Sequence, residues 1–135
     1  MAITLCPQCA DGNDQTIRPA KVKNGKKFVR GLCGNDFWVW RAIDCVAPAI
    51  VICEFNAVLG DRRPVVVPYD PAFTRFKYHY SGLYLGCSIL ALQRLADQKG
   101  YAFVGTSSNG VNAFFVRKDL AGPLMPLIGA PRAFP

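Results

Sequence analysis

The chain has 135 residues, 51% apolar and 19% charged, with 16 basic against 9 acidic side chains and a net charge of +7. That length holds one domain with a real core, and the balance excludes a disordered chain, which needs fewer apolar residues and more charge. No apolar run reaches the roughly 18–20 residues of a membrane-crossing helix, and the start at Met1-Ala2-Ile3-Thr4 lacks the basic and apolar regions of a signal peptide, so the sequence predicts a soluble, cytoplasmic protein without a membrane partner.

Residues 1–28 show neither helical nor strand periodicity and are rich in Gly, Asn, Asp, Lys and Pro, which reads as an irregular segment. Arg18, Lys21, Lys23, Lys26, Lys27 and Arg30 make its surroundings basic. A solvated arm explains that charge, and a nucleic-acid partner is the alternative. Cys6 and Cys9 form one Cys-x-x-Cys pair. A structural zinc site usually needs a second such pair, and no metal is expected. Cys33, Cys45, Cys53 and Cys87 sit among apolar neighbours, where a free cysteine acts as a small hydrophobe.

Order is expected from residue 29 to 120. Phe28-Val29 begins a short strand that reaches Cys33, and Asn35 or Asp36 is placed to cap a helix over 37–43. Ala49 to Cys53 is a continuous apolar run without polar alternation, which predicts a strand buried on both faces. Residues 62–76 are aromatic and punctuated by Pro64, Pro68 and Pro71, and form a long ordered connection. A helix follows from Gly82 or Gly86 to Lys99, with Leu85, Ile89, Leu92 and Ala96 on one stripe and Gly100 at its stop. A strand over 101–105, the Asn109-Gly110 turn and a strand over 111–117 make a hairpin. The tail over 121–135 is proline-rich and irregular. This order predicts an α/β fold, a mostly parallel sheet with a C-terminal antiparallel hairpin.

Three stretches carry a family likeness: Gly34-Asn35-Asp36-Phe37-Trp38-Val39-Trp40, Ile50 through Glu54-Phe55-Asn56, and Lys99-Gly100-Tyr101 through Asn109-Gly110-Val111-Asn112 to Arg117. They resemble the C-terminal half of FkbM-like class I S-adenosylmethionine-dependent methyltransferases. The resemblance implies a partial Rossmann-like half-fold. It also implies a cofactor site whose main parts this chain lacks: no Gly-x-Gly turn follows a strand, and Gly31 and Cys33 stand where the family carries aspartates. The expected function is a truncated or divergent methyltransferase-like protein, inactive alone. Alternatives are a small binding or assembly module, as a homodimer or completed by a partner chain, and a basic nucleic-acid-binding protein.

No catalytic residue is assigned. Ligands of open α/β sheets sit beyond the carboxyl ends of strands, which singles out Glu54 and Asn56. Each either faces a ligand or pairs within the fold, Glu54 with Arg41, Arg62 or Arg63. Asn35 and Asp36 follow another strand end and serve as caps or as ligand contacts. His79 and Tyr80 could line a pocket, and histidine suits proton transfer. Asn109 is explained by turn geometry, whereas Asn112, unusual in a strand, would orient a substrate or satisfy the backbone. Trp38, Trp40, Phe73, Phe76, Tyr78 and Tyr80 could stack on bases, although Trp38 and Trp40 point different ways on a helix and suit a core.

Overall fold

A computed structural model describes residues 2–4, 18–23, 26–30, 34–70 and 72–122. Cys6, Cys9, Gly31, Cys33 and the tail from 123 lie outside them. The elements are β1 (Ala2–Thr4), β2 (Arg18–Lys23), β3 (Lys26–Arg30), α1 (Asp36–Ala42), β4 (Ile50–Glu54), α2 (Arg75–Tyr78), α3 (Ile89–Gln98), β5 (Tyr101–Thr106), β6 (Asn112–Arg117) and α4 (Lys118–Ala121), with a 3₁₀ turn at Ala57–Leu59.

The fold is α/β, built on a small antiparallel sheet. Strand β6 lies between β4 and β5 and runs opposite to both, with Val51 beside Phe115 and Phe103 beside Phe115. The expected C-terminal hairpin is present. The mostly parallel sheet is not: β1 pairs in parallel with β4 over three residues, and every other described pairing is antiparallel. The reason is the turn at residues 107–112. Gly110 takes φ +67°, a conformation that favours glycine, and the chain doubles back between two strands that themselves run the same way. Strands β2 and β3 pair as a hairpin inside the stretch read as irregular. Their register sets Lys23 beside Lys26 and Lys21 beside Phe28.

Strand β4 also differs from expectation. Val51 and Cys53 are buried, while Ile50 is 40% exposed and Ile52 and Glu54 are half-buried. The run is covered on one face, because both helices that reach the core lie on that side. From α1 come Val39 and Trp40, and from α3 come Ile89, Ala91, Leu92, Leu95 and Ala96. They meet Val51, Cys53, Tyr101, Ala113 and Phe115 of the sheet. Trp40 packs on Phe115 at 5.0 Å and edge-on to Tyr101 at 5.7 Å, geometries that aromatic pairs favour.

Helix α3 begins at Ile89, later than its apolar stripe predicts, because Ser88 caps it by accepting from the Ala91 amide. Leu85 therefore lies in the preceding loop. Gly100 ends the helix at φ +80°, with Lys99 donating to the Ile43 carbonyl and pairing with Asp44. That contact ties the end of α3 to the end of α1.

Leu92 is wholly buried at the centre of this layer. Leu92→Ala is expected to lower unfolding free energy by about 2–5 kcal/mol in urea titrations, whereas a truncation at the exposed Tyr80 should leave the midpoint unchanged.

Candidate functional site at the carboxyl end of strand β4

Five of the seven singled-out residues come together. Asn35 and Asp36 start α1, Glu54 ends β4, Asn56 follows it, and Asn112 lies directly across from Glu54 at the start of β6. Phe55 donates its amide to the Val111 carbonyl at 2.9 Å, which locks the two strand ends together. His79 and Tyr80 are not part of this group. Both are exposed on the turn after α2, where the His79 ring lies 2.6 Å from the Ser81 hydroxyl and 4.4 Å from the Tyr80 ring.

Three of these side chains, Asn35, Asp36 and Asn56, hold backbone. Asn35 and Asp36 are buried, yet neither acts as the expected cap: the Asn35 side chain makes no capping bond and donates to the Asp70 carbonyl at 3.1 Å. Asp36 accepts from the Glu54 amide at 3.0 Å. Asn56 donates to the Leu83 and Leu85 carbonyls at 2.7 and 3.1 Å and accepts from the Val58 amide. Asn112 meets Ser107 through its backbone, its amide donating to the Ser107 hydroxyl. Such groups must find partners, because an unpaired buried amide costs roughly 1–3 kcal/mol.

Ser88, outside the sequence reading, and Trp38, read there as a core or stacking residue, complete the arrangement. Ser88 is fully buried; its hydroxyl donates to the Arg63 carbonyl at 2.7 Å and accepts from the Val65 amide at 3.0 Å. Trp38 donates its indole N–H to the Val67 carbonyl at 2.9 Å. A serine just before an apolar helix is a readable capping signal, but its reach across 25 positions to residue 63 is not local information. Together these bonds pin the long connection after Gly60 across the end of the sheet.

Phe73 sits beneath that connection. A Cβ at Gly34, which has φ +90°, would lie 2.8 Å from the Phe73 ring. The close approach that this glycine permits is occupied by an aromatic ring of the same chain.

Cys53 and Cys87 are buried free thiols beside Asp36. Burial, reinforced by the Asp36 charge, pushes the Cys87 thiol from 9.0 to about 12, and burial likewise raises Cys53. Neither is poised as a nucleophile, which requires thiolate. Among the described residues no three His, Cys, Asp or Glu side chains gather to hold a metal, and no helix is long and apolar enough to cross a membrane.

A concavity of about 270 Å³ opens at the other end of β4, between Trp40, Val46, Val51, Lys99 and Tyr101. Its polar groups are engaged too: the Tyr101 hydroxyl donates to the Pro48 carbonyl at 2.8 Å, and Lys99 pairs with Asp44.

Comparison with known proteins yields no matching family model, no matching curated protein and no matching solved structure.

Two outcomes test this geometry. Asn56→Ala leaves the Leu83 and Leu85 carbonyls without their donor and is expected to destabilise by about 1–3 kcal/mol; Asn56→Asp, which replaces that donor with an acceptor, should be worse by thermal denaturation. Cys87 has a folded pKa above its unfolded one, so its contribution is complete below pH 9 and is lost as pH rises toward 12. The alkaline fall in stability should therefore be shallower in Cys87→Ala than in the parent chain.

Proposed function

We propose that this chain is a methyltransferase-like half-domain that serves as a binding and assembly module, without a self-sufficient site for methyl transfer. The observation that carries this reading is the engagement of Asn35 and Asn56 with carbonyls of the chain's own connection, and of Asp36 with the Glu54 amide at the end of β4. In the family that the sequence resembles, this end of the sheet would face S-adenosylmethionine. Here the residues fit that cofactor poorly, since the Gly34 approach is filled by Phe73. The fold-level likeness rests on β4 and β5 running the same way on either side of a reversed β6, with α3 between them, as the closing helix–hairpin of the resemblance implies.

Assembly is supported by the second face of the sheet. Ile50, Ile52, Ala102, Phe114 and Val116 share it, exposed or half-buried, and α1 and α3 cover the other side. A one-sided sheet with an apolar back is a surface that a second layer stabilises. A second copy of the chain is the simplest source of that layer.

Calorimetry with S-adenosylmethionine at about millimolar concentration, where a functional site would saturate, should show no saturable heat; binding tighter than about 100 μM would overturn the reading. Sedimentation should give a mass above the 14.8 kDa of one chain. Ile50→Lys, which places a charge on the apolar back, should shift the chain to monomer while leaving its helical signal intact.

A further inference from the structure

The connection pinned over the sheet end presents rings outward. Phe76 is 71% exposed and Tyr80 89%, and Tyr69, Tyr78 and Tyr84 are each close to half exposed. Large aromatic side chains normally bury 150–250 Å² each, so such a group at the surface needs a reason. The rings are not loosely hung. Tyr78 stacks on the buried Phe73 at 5.4 Å with an 11° interplanar angle and meets Tyr84 at 6.1 Å. Arg75 donates to the Gly82 carbonyl at 2.5 Å and lies over the Phe76 ring, closing the turn that carries Tyr80. A Cβ at Gly82, which has φ +63°, would strike Phe76, so this approach requires glycine.

Asp70 opens the segment and accepts from the Ala72 amide, and the charges that follow it are basic. Between Asp70 and Asp97 the chain has no acidic residue, while Arg75 and Lys77 are exposed beside the rings. The same segment crosses the carboxyl end of β4, held there by Asn56 through Leu83 and Leu85, and this is the end at which α/β sheets bind their ligands.

We propose that residues 69–84 form a docking ledge for single-stranded nucleic acid, with Phe76 and Tyr80 stacking on bases and Arg75 and Lys77 contacting phosphate. Exposed rings offer a stacking face that any base can use, and neighbouring cations neutralise the backbone. An apolar protein partner would use the rings but not the exposed Arg75 and Lys77; an acidic surface alone would use the cations but not the rings. The proposal deepens the reading of the chain as a binding module and rests on it.

The test is fluorescence anisotropy with the full chain and a fluorescein-labelled oligothymidylate of about 20 nucleotides, long enough to span one such site. Binding is expected, and should weaken roughly tenfold between about 50 and 200 mM salt, as two to three phosphate contacts require. Phe76→Ala and Tyr80→Ala should each weaken it about tenfold, and Tyr80→Trp should retain it. Circular dichroism of the variants should match the parent, since both rings are exposed. Absence of binding at low salt overturns the proposal. So does binding that the ring variants leave unchanged and that heparin, which has no bases, abolishes; that result assigns the charge to another basic surface. Self-association that disappears in the ring variants would give the ledge to a second copy and overturn it equally. Saturable binding of S-adenosylmethionine would overturn the binding-module reading, whereas a chain that binds neither ligand overturns only the ledge.

Discussion

A long connection can cross a sheet end only if its backbone groups find partners there, and in this protein buried side chains supply them. Asn56 is the clearest case. It is buried beyond the end of β4, donates to two carbonyls from residues 83 and 85, and accepts from the amide of residue 58. Ser88 does the same for residues 63 and 65, Asn35 for residue 70 and Trp38 for residue 67. In a low-dielectric interior each such bond is stronger than in water, and each missing one is more damaging. The connection is therefore held by a few directional bonds to its interior side. Packing adds Val67 and Phe73, both buried, beneath an otherwise polar and aromatic surface.

That arrangement explains why a strand end rich in Asn, Asp and Glu need not be a reaction centre. Polar side chains at the carboxyl end of a strand have two physical outlets: a ligand, or the backbone of whatever covers the strand. When the cover is a proline-punctuated loop, the second outlet supplements the loop's own backbone bonds, such as the Val67 amide to the Gly86 carbonyl and the Ser88 amide to the Val65 carbonyl. Asn35 and Asn56 take it, while Asp36 accepts from the strand's own Glu54 amide. The chemistry that such residues could perform is thereby exchanged for a fixed loop, and what the loop displays outward becomes the chemically distinctive surface.

Much of this fold was legible in the sequence because local signals agreed with tertiary need. Asn109-Gly110 specified the hairpin, Gly100 the end of α3, and the Leu92–Ala96 stripe its buried face. The sheet's direction was not legible. A run such as Ile50-Val51-Ile52-Cys53 lacks polar alternation whether it is covered on both faces or on one, and only the placement of α1 and α3 on the same side decides. The clustering of Asn35, Asp36, Glu54, Asn56 and Asn112 followed from the rule for strand ends. What those side chains bind did not, because partners 27 to 35 residues away leave no local trace. Ser88 was hidden for the same reason: capping explained it, and its second role needed the fold.

The apolar back of the sheet and the aromatic ledge pose the same physical question in two forms. Both expose surface that water solvates poorly, and both are positioned by rigid neighbours. Their compositions differ. The back carries Ile50, Ile52, Phe114 and Val116, with Glu54 only at its edge, which suits a dry contact with another apolar layer. The ledge alternates rings with Arg75 and Lys77, which suits a wet, charged and flexible ligand. A dry partner on the ledge would strip water from two cations without compensation, and a polyanion on the back would find nothing to neutralise it. On the proposed reading the two faces select different ligands, so assembly through the sheet and binding at the loop would proceed together on one small chain.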